Sequence, residues 1–410
     1  MSGLKILISG AGVAGPVLAH FLAQAGAKVT IVERASSLRM GGQNVDIRGL
    51  GRKVLAKMGT HDTIQEKMTA EAGVAFVDGS NRHMAEFPVD KSGRGKSITA
   101  EIEIMRGDLA VILYDATKKD VEYQFDDSIE GLDETNDKVN VTFRSGRTNE
   151  YDMVIAADGL GSSTRKLVFE NDPISSLNAW VSWFSIPSQD HDTDWGTWYN
   201  APGRRMILLR PNTNDATEKV TRASMWICEP SEKLRNYSKL SKQEQKIMVH
   251  EIFHDAGGEA TRCLEGMDSD DDFTMQEIAQ VKMDTWSKGR VALLGDAAFC
   301  PSPISGMGTT LAIVGAYILA GEIAKTPHDP EQAFGSYEKI MRPFVTKGQK
   351  LLPGAPQWVN PGSAFGIKIL HSFLGFVSWS GVLTFAESFV GPPVDAITLP
   401  DYEFTKGQIA

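Results

Sequence analysis

At 410 residues, with 42% hydrophobic and 23% charged side chains, the chain is long enough for two or three domains with sizeable cores and is ordinary in composition for a globular protein. A formal net charge of −10 and a pI near 5.4 provide no electrostatic footprint for nucleic acid. Cys228, Cys263 and Cys300 are widely spaced and odd in number, which argues against a disulfide framework or zinc cluster and for a reducing compartment.

The first strand begins at once, without a basic n-region or cleavage site ahead of it, so no secretory signal is expected and the location is predicted to be cytoplasmic. Lys5-Ile6-Leu7-Ile8-Ser9 is a short apolar run rich in β-formers and reads as a buried parallel strand. Gly10-Ala11-Gly12-Val13-Ala14-Gly15 follows, then a helix with apolar Val17, Leu18, Phe21, Leu22 and Ala25, closed by Gly26. A second strand over 28–32 ends in Glu33. In this order the elements predict a dinucleotide site. Gly10 makes the tight turn, Gly12 admits a pyrophosphate and Gly15 lets helix and sheet pack closely. The helix start offers free amides to the phosphates, and Glu33 stands where an acid accepts from a ribose hydroxyl. Glu33 would repel a 2′-phosphate, which favours FAD or NAD over NADP, but Arg34 beside it blurs that distinction and leaves the dinucleotide open.

Residues 35–48 are glycine-rich and polar, and a helix follows through Leu50, Val54, Leu55 and Met58. Two strands, 73–78 and 83–89, flank a turn at Gly79-Ser80-Asn81, and a helix is predicted over 109–116. Stretches 122–125 and 139–143 read as antiparallel strands, and 151–157 as a buried strand ending at Asp158-Gly159. From 178 to 281 strand-like runs alternate with polar loops around one helix, 242–254, which predicts a second, sheet-based domain. A third buried strand, 290–294, runs into Gly295-Asp296, and a loop with Pro301, Pro303, Gly306 and Gly308 leads to a helix over 309–325. That helix is apolar on nearly every face and should be buried. The apolar stretch 363–390 includes Phe373, Phe376, Trp379 and Leu383. It is broken by Lys368, His371 and Glu387, too short to span a bilayer, and reads as a helix packed across two domains, with interfacial membrane contact as the alternative.

Three strand ends far apart in sequence thus carry glycine or acid signatures: residues 10–15, Asp158-Gly159 and Gly295-Asp296. The ordered set resembles that of the class A flavoprotein monooxygenases, the p-hydroxybenzoate hydroxylase superfamily. Asp158-Gly159 with Ser162 and Arg165 resembles the family's DG motif, and Gly295-Asp296-Ala297-Ala298 with Pro303, Gly306 and Gly308 its GD motif. The stretches 41–47 and 105–109 are similar to those of tetracycline-inactivating hydroxylases and fungal secondary-metabolism enzymes.

The resemblance implies FAD held non-covalently, NADPH (or NADH) as reductant and O2 as co-substrate. Gly10, Gly12, Val13, Ala14 and Gly15 would bind the pyrophosphate and Glu33, with Arg34 adjoining, the adenosine ribose. Gln43, Asp46 and Arg106 would line the flavin site. Asp296, after Gly295, would accept from ribityl hydroxyls or order the pyrophosphate, and Asp158 would serve FAD and NADPH binding. Pro303, Gly306, Met307, Gly308 and Thr309 would bring a helix start to the flavin, where free amides stabilise the anionic reduced ring. Arg39 and Arg165 are candidates for NADPH contact. The implied chemistry is hydride transfer to flavin N5, O2 addition at C4a and delivery of oxygen from the hydroperoxide to an electron-rich small molecule. No catalytic side chain is singled out. The chain departs from the family at Phe299, where histidine is frequent, and at Gly315-Ala316, where Asp-Ala is usual.

The expected fold is α/β. A Rossmann-like FAD-binding domain is assembled from 1–72, 100–177 and 282–355, a β-rich substrate domain from 73–99 and 178–281, and a C-terminal bridging helix and tail from 356–410. The substrate is expected between the domains, and the chain as a monomer or homodimer. Trp180, Trp183, Phe184, Trp195, Trp198 and Trp226 provide aromatic surface there, without indicating which of them face the pocket. Baeyer–Villiger oxidation, epoxidation, dehydrogenation or a non-enzymatic sensor would use the same cofactor residues. A rival signal, His250-Glu251-Ile252-Phe253-His254, spells the HExxH of zinc proteases, but the further histidine is absent (Ala260) and no metal is expected.

Overall fold

The computed structural model describes residues 3–39, 41–69, 71–89, 102–170, 173–211, 220–380 and 396–404. The apolar run at the start of the chain becomes the strand Lys5–Ser9, whose side chains from Ile6 onward are buried. It is flanked on both sides by parallel neighbours, Met153–Ala156 and Lys28–Glu33. Val291–Leu293 joins next to Met153–Ala156, so the three strands that carry glycine or acid signatures lie side by side. All their C-terminal ends therefore open on one edge of the sheet, where α/β folds bind ligands. Expected as an antiparallel strand, Glu122–Phe125 instead pairs parallel with Lys28–Glu33 and closes this six-stranded sheet. Val139–Phe143 is antiparallel, in a separate three-stranded sheet with Ile129–Glu134 and Thr148–Tyr151.

The helices Ala14–Gln24 and Gly308–Lys325 pack on the six-stranded sheet and on each other. Gly308–Lys325 is buried at every residue from Thr310 to Ile323, as its all-round apolar sequence requires. Pro330–Gly348 covers its outer side.

A seven-stranded sheet stands beside this layer. It runs in the order Thr274–Val281, Ile174–Pro187, Val220–Ile227, Arg205–Pro211, Trp195–Ala201, Gly73–Val77, His83–Pro88. Pairing is antiparallel except between Trp195–Ala201 and Gly73–Val77, which is how the early hairpin enters the later sheet. Side-chain alternation gives the sheet two faces. One, with Trp180, Ile207 and Met225, is sealed by the helices Lys242–Phe253 and Ala260–Ser269. The other, with Met206, Leu208 and Trp226, looks toward the first sheet. Where one helix was expected, Ala260–Ser269 and the short Glu232–Arg235 are added.

The C-terminal segment touches both layers. The helix Ala364–Ser380 lies on the strand His83–Pro88, with the Ser378 hydroxyl donating to the Glu86 carbonyl at 2.8 Å. The tail packs on the other layer, where the Tyr402 hydroxyl donates to Glu322 at 2.7 Å and Phe404 stacks near Phe21. Val382, Leu383, Glu387 and Val390 of the apolar stretch, and residues 90–99 of the early insertion, lie outside the described residues.

Candidate active site

A cavity of about 1590 Å³ runs from the strand ends of the first sheet to the open face of the second. Gly10 has φ +109° and its N–H donates to the Val32 carbonyl at 2.8 Å, so the chain turns sharply off its strand. A Cβ on Gly15 would lie 2.1 Å from the Gly10 carbonyl oxygen, which makes glycine obligatory where helix meets loop. A Cβ on Gly12 would meet only the Arg106 guanidinium at 3.9 Å, so this position turns open backbone to the cavity. Val13 and Ala14 line the wall beside it, while Gly15 and Gly295 lie behind it. At Gly295, φ +64°, a Cβ would come within 3.3 Å of Ala14 Cβ, so bare backbone there lets the loop close against the first helix.

Glu33 accepts from the Ala11 and Ala35 amides, both at 3.0 Å, and so shapes the glycine loop while lining the cavity. Arg34 and Arg39 stand alongside, with Arg39 4.0 Å from Glu33. Gln43 lines the cavity and accepts from the Arg106 amide through its carbonyl at 3.2 Å. Asp46 pairs with the buried Arg48 at 2.7 Å, and the two pack against Gly306. On the opposite side Asp296, Pro303, Gly306, Met307, Gly308 and Thr309 line the cavity, and Gly308 begins the helix expected from Thr309. Desolvation holds the Asp296 carboxyl above the usual carboxylate range, against the opposing effects of the Cys300 thiol and the Arg106 charge.

Two motif residues are tied into the scaffold. Asp158 accepts from the Ser162 hydroxyl at 2.5 Å and from the Thr164 hydroxyl and amide at 3.0 and 3.1 Å, ordering the turn into Ser163–Val168. Arg165 is fully buried, donating to the Ala297 carbonyl at 2.9 Å and the Leu160 carbonyl at 2.8 Å. It joins the DG and GD loops from behind. That position corrects the expectation of NADPH contact, since no surface that a second dinucleotide could reach exposes it.

The substrate-side wall was only partly legible beforehand. Trp183, Phe184, Trp198 and Trp226 line the cavity, whereas Trp180 is in the helix-covered core and Trp195 stacks edge-on to His83. The indole N–H groups of Trp183 and Trp198 have no hydrogen-bond partner among the described residues. Unforeseen was a buried charge cluster. Arg210 donates to Glu71 at 2.7 Å and to Glu103 at 2.9 Å, and lines the cavity. Burial pushes the Glu103 carboxyl up to about 8, with Arg210 opposing and Glu71 and Asp46 reinforcing. These four charges come from four separated segments, so no local pattern announces them.

The HExxH residues are surface groups: His250 pairs with Asp268 at 3.0 Å and Glu251 with Lys233. Among the described residues no group of three or more His, Cys, Asp and Glu could hold a metal.

A family model described as FAD binding domain matches residues 3–349. The chain belongs to the class A FAD-dependent monooxygenases. Monooxygenase CTB7 of Cercospora beticola is 37% identical over 98% of both chains, and a flavin-dependent monooxygenase of Legionella longbeachae is 36% identical with the same coverage. Among solved structures, tetracycline destructase Tet(51) superposes with a TM-score of 0.79 at 33% identity, over 98% of this chain and 99% of the other. HpxO of Klebsiella pneumoniae, solved with FAD and uric acid, shares the fold with a TM-score of 0.74 at 20% identity, over 96% of this chain and 98% of the other. As a class A monooxygenase the chain is an oxidoreductase that uses FAD. The residues present fit that cofactor: a bare-backbone cradle at Gly12, a desolvated acid at Asp296 and a helix start at Gly308 face one cavity of about 1590 Å³.

Proposed function

We propose that the chain takes electrons from NADPH and uses O2 to insert one oxygen atom into an aromatic or polyketide-like small molecule. The observation that carries this reading is the continuity of one cavity. Its lining includes Gly12, Glu33, Arg106 and Asp296 together with Trp183, Trp198 and Trp226. Bound FAD supplies the redox chemistry, accepting two electrons from a nicotinamide and activating O2.

The chain's own residues do the rest. Gly12 admits the pyrophosphate, Glu33 receives a ribose hydroxyl on the lone pairs left by Ala11 and Ala35, and Arg106 balances phosphate charge. Asp296 accepts from the ribityl chain. The free amides that open Gly308–Lys325 stabilise negative charge developing on the ring. Trp198 stacks on Phe76 with centroids 5.1 Å apart, which gives a flat apolar wall that excludes water and suits a fused-ring substrate. The destructases, which by name act on tetracycline, support such a substrate class. We assign the cofactor part to 1–72, 100–177 and 282–355, the substrate part to 73–99 and 178–281, and the location to the cytoplasm.

The test is an absorption spectrum of the purified protein, then anaerobic NADPH, then air. Flavin bands should bleach with NADPH and return with O2, and polycyclic phenols should accelerate NADPH consumption. Failure to bleach with either nicotinamide overturns the reductant assignment. Baeyer–Villiger oxidation, epoxidation or dehydrogenation would use the same site, and the mass and position of oxygen label from ¹⁸O2 in the product separates them.

A further inference from the structure

Surface helices ordinarily turn a polar stripe to water. The helix Ala364–Ser380 does not. Its inner side, with Leu374 and Val377, packs on Phe76, Ala85 and Phe87. On its outer side Phe365, Ile369, Phe373, Phe376 and Trp379 are between 55% and 84% exposed. Their spacing of three and four residues places all five on one face, where Lys368, Ser372 and the terminal Ser380 are the polar residues. Trp358 and Leu352, 78% and 70% exposed, extend the apolar surface along the preceding segment. Leu352 and Phe373 also line the cavity, so the surface reaches its mouth.

Charge selects what covers this face. The helix itself holds no Asp or Glu, its one cation, Lys368, stands on this face, and Lys347 and Lys350 line the cavity whose mouth the face reaches, in a chain whose net charge is −10. A second copy docking through the same patch would bring Lys368 toward its own counterpart with no acid on the helix to balance it, because a two-fold contact is self-complementary. Anionic headgroups match it.

We propose that this face seats on an anionic lipid surface, with the helix lying in the interface plane. Phe and Trp side chains enter the headgroup boundary, Lys368 reaches outward to phosphates, and Lys347 and Lys350 add positive charge at the cavity mouth. Among the described residues no helix is long and apolar enough to cross a membrane, which fits a helix that lies flat. Seated this way, the cavity mouth at Leu352 and Phe373 opens onto lipid. Only the corollary, that an apolar substrate can enter from the bilayer, rests on the function proposed above.

The experiment is flotation of the full, FAD-loaded chain with vesicles of phosphatidylcholine alone or mixed with phosphatidylglycerol. Binding is expected to the mixed vesicles, weaker to phosphatidylcholine, and falling as salt rises. The double variant Phe376→Ser/Trp379→Ser should lose about tenfold in partitioning while keeping its flavin absorbance, since neither residue lines the cavity. Lys368→Glu should lose about fivefold or more. Absence of flotation at every phosphatidylglycerol content overturns the proposal, as does equal flotation of the double variant. Light scattering that reveals a dimer dissolved by the same two substitutions, without flotation of the parent, assigns the face to a second copy instead.

Discussion

The ring of Phe299 sits over Gly315: a Cβ built on Gly315 would lie 3.2 Å from Phe299 Cζ. These are the two positions at which the sequence departs from the motifs it resembles, and in the structure they touch. The glycine on the long buried helix leaves room for a ring that also packs on Trp286, 4.7 Å between centroids. We expect Gly315→Ala to be better tolerated in a Phe299→Leu background than in the parent, by about 1 kcal/mol of coupling. A double-mutant cycle on thermal or urea unfolding measures this, and additive effects would show that the two positions are independent.

The glycine loop separates fold from binding. Gly15→Ala would force a Cβ to 2.1 Å from the Gly10 carbonyl, a backbone clash that costs about 3 kcal/mol or more. Gly12→Ala meets only the Arg106 guanidinium at 3.9 Å and should leave stability within about 1 kcal/mol while raising the FAD dissociation constant. Unfolding curves of the apoproteins and FAD titration test both. Equal FAD affinity in Gly12→Ala would remove the pyrophosphate from that position.

Asp158 and Asp296 are expected to fail differently. Asp158 accepts from Ser162 and Thr164, so Asp158→Ala should cost about 1–2 kcal/mol of stability even in the apoprotein. Asp296 lines the cavity, so Asp296→Ala should chiefly lower FAD retention and leave apoprotein unfolding little changed. Flavin-to-protein ratios after gel filtration, set beside apoprotein melts, distinguish the two. A fully flavinated Asp296→Ala would refute its assignment.

The Glu103 carboxyl, pushed up to about 8, makes stability pH-dependent. Its folded-state value is above its unfolded one, so the folded chain binds the extra proton and stability falls as pH rises from the ordinary carboxylate range to about 8. Glu103→Gln should flatten this fall, because Gln has no proton to lose. Thermal midpoints of both proteins between pH 5 and pH 9 provide the check. Parallel profiles would mean that Glu103 titrates normally.

Local sequence determined much of this enzyme. The βαβ unit, the three motif-bearing strand ends and the buried helix Gly308–Lys325 are all written in short-range terms: apolar runs, glycines and helix starts whose conformational preferences act over a few residues. The family motifs therefore identified the cofactor class before any contact was known. Tertiary structure alone decided what depends on residues distant in sequence. Glu122–Phe125 became a parallel edge strand because its partner is Lys28–Glu33, almost a hundred residues earlier, and strand propensity does not encode direction. Arg165 looked like a cofactor cation but turned inward because two carbonyls, one at distant Ala297, accept its guanidinium in a buried seam. Arg210, Glu71 and Glu103 converge only once the early hairpin has paired with the later sheet. The tryptophans sorted between cavity and core according to which sheet face the helices covered. Pairing, register and packing are long-range, and they govern which side chains reach the site.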